Sequence, residues 1–128
     1  MLSAKVLIQI GKFMNNKQRT TYLSFKLKPE EVKELILGMD YCYASNRITV
    51  EGMKVGYMYR EIPETSMDSG WRFFSGTESQ EEIDNPNNIG IYDINTIANY
   101  DASIIPYLNA ELDTAFERIE CMDAFKRL

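Results

Sequence analysis

The sequence predicts an α+β domain, a mainly antiparallel β-sheet with one clear helix over about residues 29–37 and a short helical turn near 95–100. Three observations carry this. Strand formers surround a central polar stretch, with Lys54-Val-Gly-Tyr-Met-Tyr59 before it and Trp71-Arg-Phe-Phe74 at its end. Aromatic residues make up 12% of the chain, eight of them tyrosine and six phenylalanine, a bias toward sheet. Residues 29–37 carry helical signals at both ends, Pro29 at the start and Gly38 just past the finish.

Taken in order, Lys5 to Ile10 reads as a strand closed by Gly11 and the polar turn Asn15-Asn-Lys-Gln18. Thr20 to Leu27 alternates, Tyr22 and Ser24 against Leu23, Phe25 and Leu27, which predicts a half-buried strand hairpinned with the first. In the helix that follows, Glu30 and Glu31 suit the positive end, and Val32, Leu35 and Ile36 form the apolar stripe. Cys42 and Ala44 lead to a turn at Ser45-Asn46, a short strand Ile48-Thr-Val50, a turn at Glu51-Gly52 and the strand Lys54 to Tyr59. Pro63 to Gly70 is turn chemistry. Ser75 to Asn88 reads as a long acidic loop, and Ile89 to Ile94 as a strand. Asn95 is placed to cap one helical turn. Pro106 puts Ser103 to Leu108 at an edge or in irregular structure. The tail fits two periods. Leu112, Ala115, Phe116, Ile119, Met122 and Phe125 fall at helical spacing, whereas Ala115 to Glu120 also alternates like a strand; periodicity slightly favours the helix.

Composition bounds the chemistry. The 128 residues suffice for a single domain with its own core, residues 1–128. There is no histidine, so Ser-His-Asp and Cys-His sites are excluded and the commonest transition-metal ligand is missing. Cys42 and Cys121 lie in no metal or redox spacing and read as free, semi-buried small hydrophobes of a reducing compartment. Met1 to Ile10 is interrupted by Lys5 and lacks a small-residue cleavage site, so it reads as a strand and a cytoplasmic location is expected. No run is long and apolar enough to span a membrane. The net charge of −5 conceals an asymmetry: residues 1–60 hold ten Lys/Arg against five Asp/Glu, and residues 61–128 four against fourteen. An acidic face with Glu78, Glu81, Glu82, Asp84 and Asp93 would repel nucleic acid and attract a basic partner; an ordinary solubilising surface is the plain alternative.

No enzyme is expected. Asp68, Ser69, Gly70 and Arg72 look catalytic, yet Ser69 has no histidine to activate it. The simpler reading is a structural turn, with Gly70 at positive φ and Asp68 capping loop amides. Arg60, Arg72 and Arg118 are expected to fix loops by ion pairs, with Asp68 or Asp101 as partners; the functional alternative makes them anchors for an acidic ligand. The acidic loop lacks calcium-loop spacing, and neither a metal nor a cofactor is expected.

The stretch Ser45 to Arg60, then Arg60-x-x-Pro63 and Asp68-Ser-Gly-Trp-Arg-Phe73, resembles the bacterial Imm33-like family, also known as DUF2185. The similarity continues through Ser75-Gly76, Asn85-Pro86, Ile89-Gly-Ile-Tyr92, Asn95-Thr-Ile97, Asp101-Ala-Ser-Ile-Ile-Pro106 and Ala115-Phe-Glu-Arg118. Relatives often carry Pro-Asp at the loop entry, where this chain has Pro63-Glu64. The resemblance implies a core over residues 41–120 preceded by a hairpin-and-helix extension over 1–40, a strand at Phe116 to Arg118, and a role in binding and silencing a bacterial toxin. The expected function is that of a non-enzymatic immunity protein whose acidic surface docks on a basic toxin. One alternative is a small-molecule-binding or enzymatic domain with its pocket beside residues 60–76, lined by Trp71, Tyr57 and Tyr59 with Arg60 or Arg72 holding a ligand carboxylate or phosphate. Another is a homodimer joining the basic half of one chain to the acidic half of a second.

Overall fold

The computed structural model describes residues 24–128. Its centre is a six-stranded sheet in the order β4-β1-β3-β2-β5-β6. The strands are β1 (Tyr41–Ser45), β2 (Tyr57–Arg60), β3 (Asp68–Phe74), β4 (Ile89–Asp93), β5 (Thr114–Arg118) and β6 (Phe125–Arg127). Only β1 and β3 pair in parallel, and every other neighbouring pair is antiparallel. Strands dominate an α+β fold, as the sequence predicts.

The central strand is β3, buried along its whole length. Trp71 and Phe73 face one side, with Met58, Phe116, Phe125, Cys42 and Ala44 from the neighbouring strands. Helix α3 (Ile94–Tyr100) and a 3-10 turn (Ala102–Tyr107) cover that side with Ile94, Ile97, Ala98 and Ile104, all fully buried. The opposite side gathers Tyr43, Phe74 and Ile89, with Tyr41, Tyr57, Tyr59 and Ile91 partly buried around them. Ile83 of helix α2 (Gln80–Asp84) packs against this second cluster.

Several elements differ from expectation. The predicted helix over 29–37 is a single 3-10 turn, Pro29–Glu31, after which Val32 is extended. Its competitor is α3: the Asn95 side chain accepts from the N–H groups of Leu35 and Ile36 and donates to the carbonyl of Lys33. Asn99 likewise accepts from the Lys33 N–H and donates to its carbonyl. Two side-chain amides thus satisfy the backbone of an extended strap, leaving no need for the helical ladder of a segment this short. Residues 24–27 of the second predicted strand are irregular, while Lys5 to Ile10 and the hairpin itself lie outside the described residues.

Where a strand over Ile48 to Val50 is predicted, a one-turn helix α1 (Asn46–Thr49) forms, its Arg47 N–H donating to the Ser45 hydroxyl at 3.2 Å. Burial of Ile48 and Thr49 overrides their β-branched preference. The next strand starts at Tyr57 rather than Lys54, because the Val55 N–H donates to Asp101 and its carbonyl accepts from Arg118. The acidic loop holds α2, capped by Ser79, and a 3-10 turn Pro86–Asn88 capped by Asn85. Asp93 rather than Asn95 caps α3. The tail is β5 and β6, not a helix, with Asp113 and Cys121 at positive φ where the chain turns. Strand alternation sends Phe116 and Phe125 into the core.

Candidate functional site

The residues singled out between 60 and 76 converge inside the protein. In β1 two steps, Tyr41 to Tyr43, face four in β3, Asp68 to Arg72, so Ser69 and Gly70 form a bulge. Gly70 has φ +85°, and a Cβ there would lie 2.2 Å from the Glu61 carbonyl oxygen, so the position demands glycine. The Ser69 hydroxyl donates to the Tyr41 carbonyl at 2.7 Å and accepts from the Trp71 N–H, which fixes the bulge and leaves it no nucleophilic role.

The bulge exists around an ion pair. Asp68 and Arg72, both buried, join through two hydrogen bonds of 2.9 and 2.8 Å. Asp68 also accepts from the N–H groups of Gly70 and Glu64. Arg72 donates further to Glu61 at 2.6 Å and to the Trp71 carbonyl, with its guanidinium 4.2 Å from the Tyr43 ring centroid. Burial works against the Asp68 charge, but the bonds from Arg72 and the two amides outweigh it and hold the carboxyl below its ordinary value. Pairing likewise overcomes burial at Arg72 and raises its pKa.

A second centre ties the other end of the sheet. Arg118 pairs with buried Asp101 and donates to the Ser103 hydroxyl, the Val55 carbonyl and the Met122 carbonyl. Among the described residues Arg60 has no carboxylate partner. It donates to the carbonyls of Ser69 and Ala110 and sits 5.8 Å from the Trp71 ring centroid. Trp71 is fully buried, with its indole N–H on the Leu108 carbonyl. The ion pairs expected of Arg72 and Arg118 are present. Trp71 and Arg72 are sealed inside and not open to a ligand. Tyr57, Tyr59 and Arg60 share a shallow depression of about 200 Å³ that also holds Glu61 and Asp113.

Pro63 stays in the partly exposed loop. The expected acidic face is largely engaged in local bonding. Glu82 forms two bonds to Arg47, and Asp93 caps α3 by accepting from Thr96. Asp84 accepts from Gln80, and Glu81 is exposed on α2. Glu78 accepts from the N–H groups of Ser75 and Gly76. Burial opposes its charge, but hydrogen bonds from the Ser45 and Ser75 groups prevail and lower its pKa.

What remains open is a groove of about 520 Å³ on the tyrosine side of the sheet. Its apolar part is Tyr57, Phe74 and Ile83, and its carboxylates are Glu78, Glu117 and Glu120. Tyr57 pairs in register with Phe74 on one side and Glu117 on the other, so three adjacent strands set a row across the floor. Gly56 closes the wall, where a Cβ would lie 2.0 Å from the Ser75 carbonyl oxygen. Sequence reading missed Glu117, Glu120 and Ile83; the one available signal was the alternation of Ala115 to Glu120, which puts Glu117 opposite Phe116.

Among the described residues no helix is long and apolar enough to cross a membrane, and no group of three or more Cys, Asp or Glu is placed to hold a metal ion. Cys42 is buried, which pushes its thiol well above the ordinary value, and Cys121 is exposed. Residues 42–128 match the family described as the immunity protein Imm33 domain. No curated protein and no solved structure matches the chain.

Proposed function

The chain belongs to the Imm33 family of immunity proteins, and from that premise we propose that it binds a bacterial protein toxin and neutralises it by occlusion. The observation that carries this is the extent of the family match, which takes in the sheet from the second residue of β1 through β6. It carries out no reaction in this role, because covering a toxin's working surface is enough to stop it.

The partner surface is basic. Residues 61–128 hold fourteen carboxylates against four cations, and three of those cations have their charge used internally or face Glu117 across the sheet edge: Arg72, Arg118 and Lys126. Such a surface attracts a basic partner from a distance and speeds association.

The test is co-production with candidate bacterial protein toxins in a host whose growth each toxin arrests. Growth is expected only when the chain is present, with the two proteins co-purifying. Continued arrest by every toxin, without co-purification, overturns the immunity role. The acidic contribution is read separately: the association rate should fall as salt rises from about 0.05 M to about 0.5 M, across which screening shortens from roughly 14 to 4 Å. A rate indifferent to salt removes the acidic surface and leaves the immunity role standing.

A further inference from the structure

We propose that the groove floored by Tyr57, Phe74 and Ile83 is the seat of an arginine side chain presented by the protein partner, a statement that rests on the immunity reading for the identity of that partner. The groove has two chemistries side by side, and an arginine matches both. Its aliphatic stem lies on an apolar floor, while its guanidinium donates a planar, two-pronged pair of hydrogen bonds to a carboxylate.

The floor is firm. The Tyr59 ring stacks on Phe74 with centroids 6.2 Å apart and planes within 1°, and it supports Tyr57 at 5.8 Å. Tyr57 therefore offers a ring face to a cation. Glu117 stands beside Tyr57 in register, and Glu78 is held in place by two backbone N–H groups. Glu120 completes the rim.

Charge decides between occupants. Arg118 lines the groove, but its guanidinium is committed to Asp101, Ser103 and two carbonyls. Lys126 neighbours Glu117 in register and forms no ion pair with it. Three carboxylates thus face one exposed ammonium. An anion would be repelled, and a purely apolar ligand would bury carboxylates without partners. A volume of about 520 Å³ exceeds what one side chain needs, leaving room for the main chain that carries it. Deep seating of an arginine among aromatics is the usual make-up of an interface hot spot.

The experiment is an NMR titration of the full chain with N-acetylargininamide, and with N-acetylcitrullinamide as the neutral isostere. Perturbation of Tyr57, Phe74, Ile83 and Glu117 by the arginine probe alone supports the seat. The Glu117→Gln/Glu120→Gln variant, with an unchanged melt, should then weaken it about threefold to tenfold, as expected for exposed charge pairs. Equal response to both probes, or none at these residues, overturns it. The toxin assay separates the two readings. A double variant that has lost the arginine probe but still relieves arrest like wild type overturns the groove as the partner's seat and spares the immunity role. Wild type that relieves no arrest overturns the immunity role, and the probe titration still judges the groove.

Discussion

The two sides of one sheet are built by different physics, and β3 shows it residue by residue. Trp71 and Phe73 turn to a side sealed by α3 and the following 3-10 turn, where Met58, Ile94, Ile97 and Ile104 are fully buried. Its polar groups are tied internally, the indole N–H to the Leu108 carbonyl and Arg118 to Asp101. Arg72 and Phe74 turn to the other side, where an ion pair, four tyrosines and an acid-edged groove lie together. One side is held mainly by apolar burial, which does not itself titrate. The other is held partner by partner and leaves carboxylates facing outward. The division says where the proposed recognition is to be tested: stability belongs mostly to the first side, and the proposed seat for the partner lies on the second.

The sharpest way to break this comparison is to remove its largest apolar side chain. Trp71→Ala should cost about 3–5 kcal/mol, a large part of a domain's stability, read by urea denaturation. Asp68→Ala should cost about 3 kcal/mol, the low end for breaking a buried pair, because Glu61 remains beside Arg72. The two losses should differ in kind. Asp68 has a folded pKa below its unfolded value of about 3.9, so its contribution is complete above that pH and disappears as pH falls through the folded value. Wild type and Trp71→Ala should therefore share a steep loss of stability below about pH 4, which Asp68→Ala should flatten. Identical acid limbs in all three proteins would erase the distinction between the two sides.

Much of β3 and its bulge was legible in the sequence, and little of the groove. Trp71 as core, Gly70 at positive φ, Asp68 as an amide cap and Arg72 as its partner all follow from local chemistry within a few residues. The groove does not. Phe74, Tyr57 and Glu117 meet only because the strand order is β3-β2-β5, a fact of long-range pairing that no local pattern encodes. Glu117 even lies outside the acidic run from which an acidic face was expected. The strap at 33–36 is the same lesson in smaller form: its partners, Asn95 and Asn99, lie about sixty residues away. Asn95→Ala should cost about 1–2 kcal/mol by leaving backbone groups of the strap without partners. Amide exchange should quicken at Leu35 and Ile36 while the sheet keeps its protection. Unchanged exchange there would mean that the strap is held by something other than the amides of α3.

The smallest expected effect on stability carries the most weight for function. Glu117 and Glu120 are exposed, and among the described residues neither takes part in an ion pair. Replacing both with glutamine should change unfolding free energy by no more than about 0.5 kcal/mol, the ordinary range for surface positions. A side chain that matters for stability and one that matters for a partner then separate cleanly: the double variant keeps its melt and loses its hold on an arginine. A loss above about 1 kcal/mol would instead make the groove part of the fold's own electrostatic framework, like Asp68 and Arg72. In that case both sides of the sheet would serve stability, and the partner's seat would have to be sought away from it.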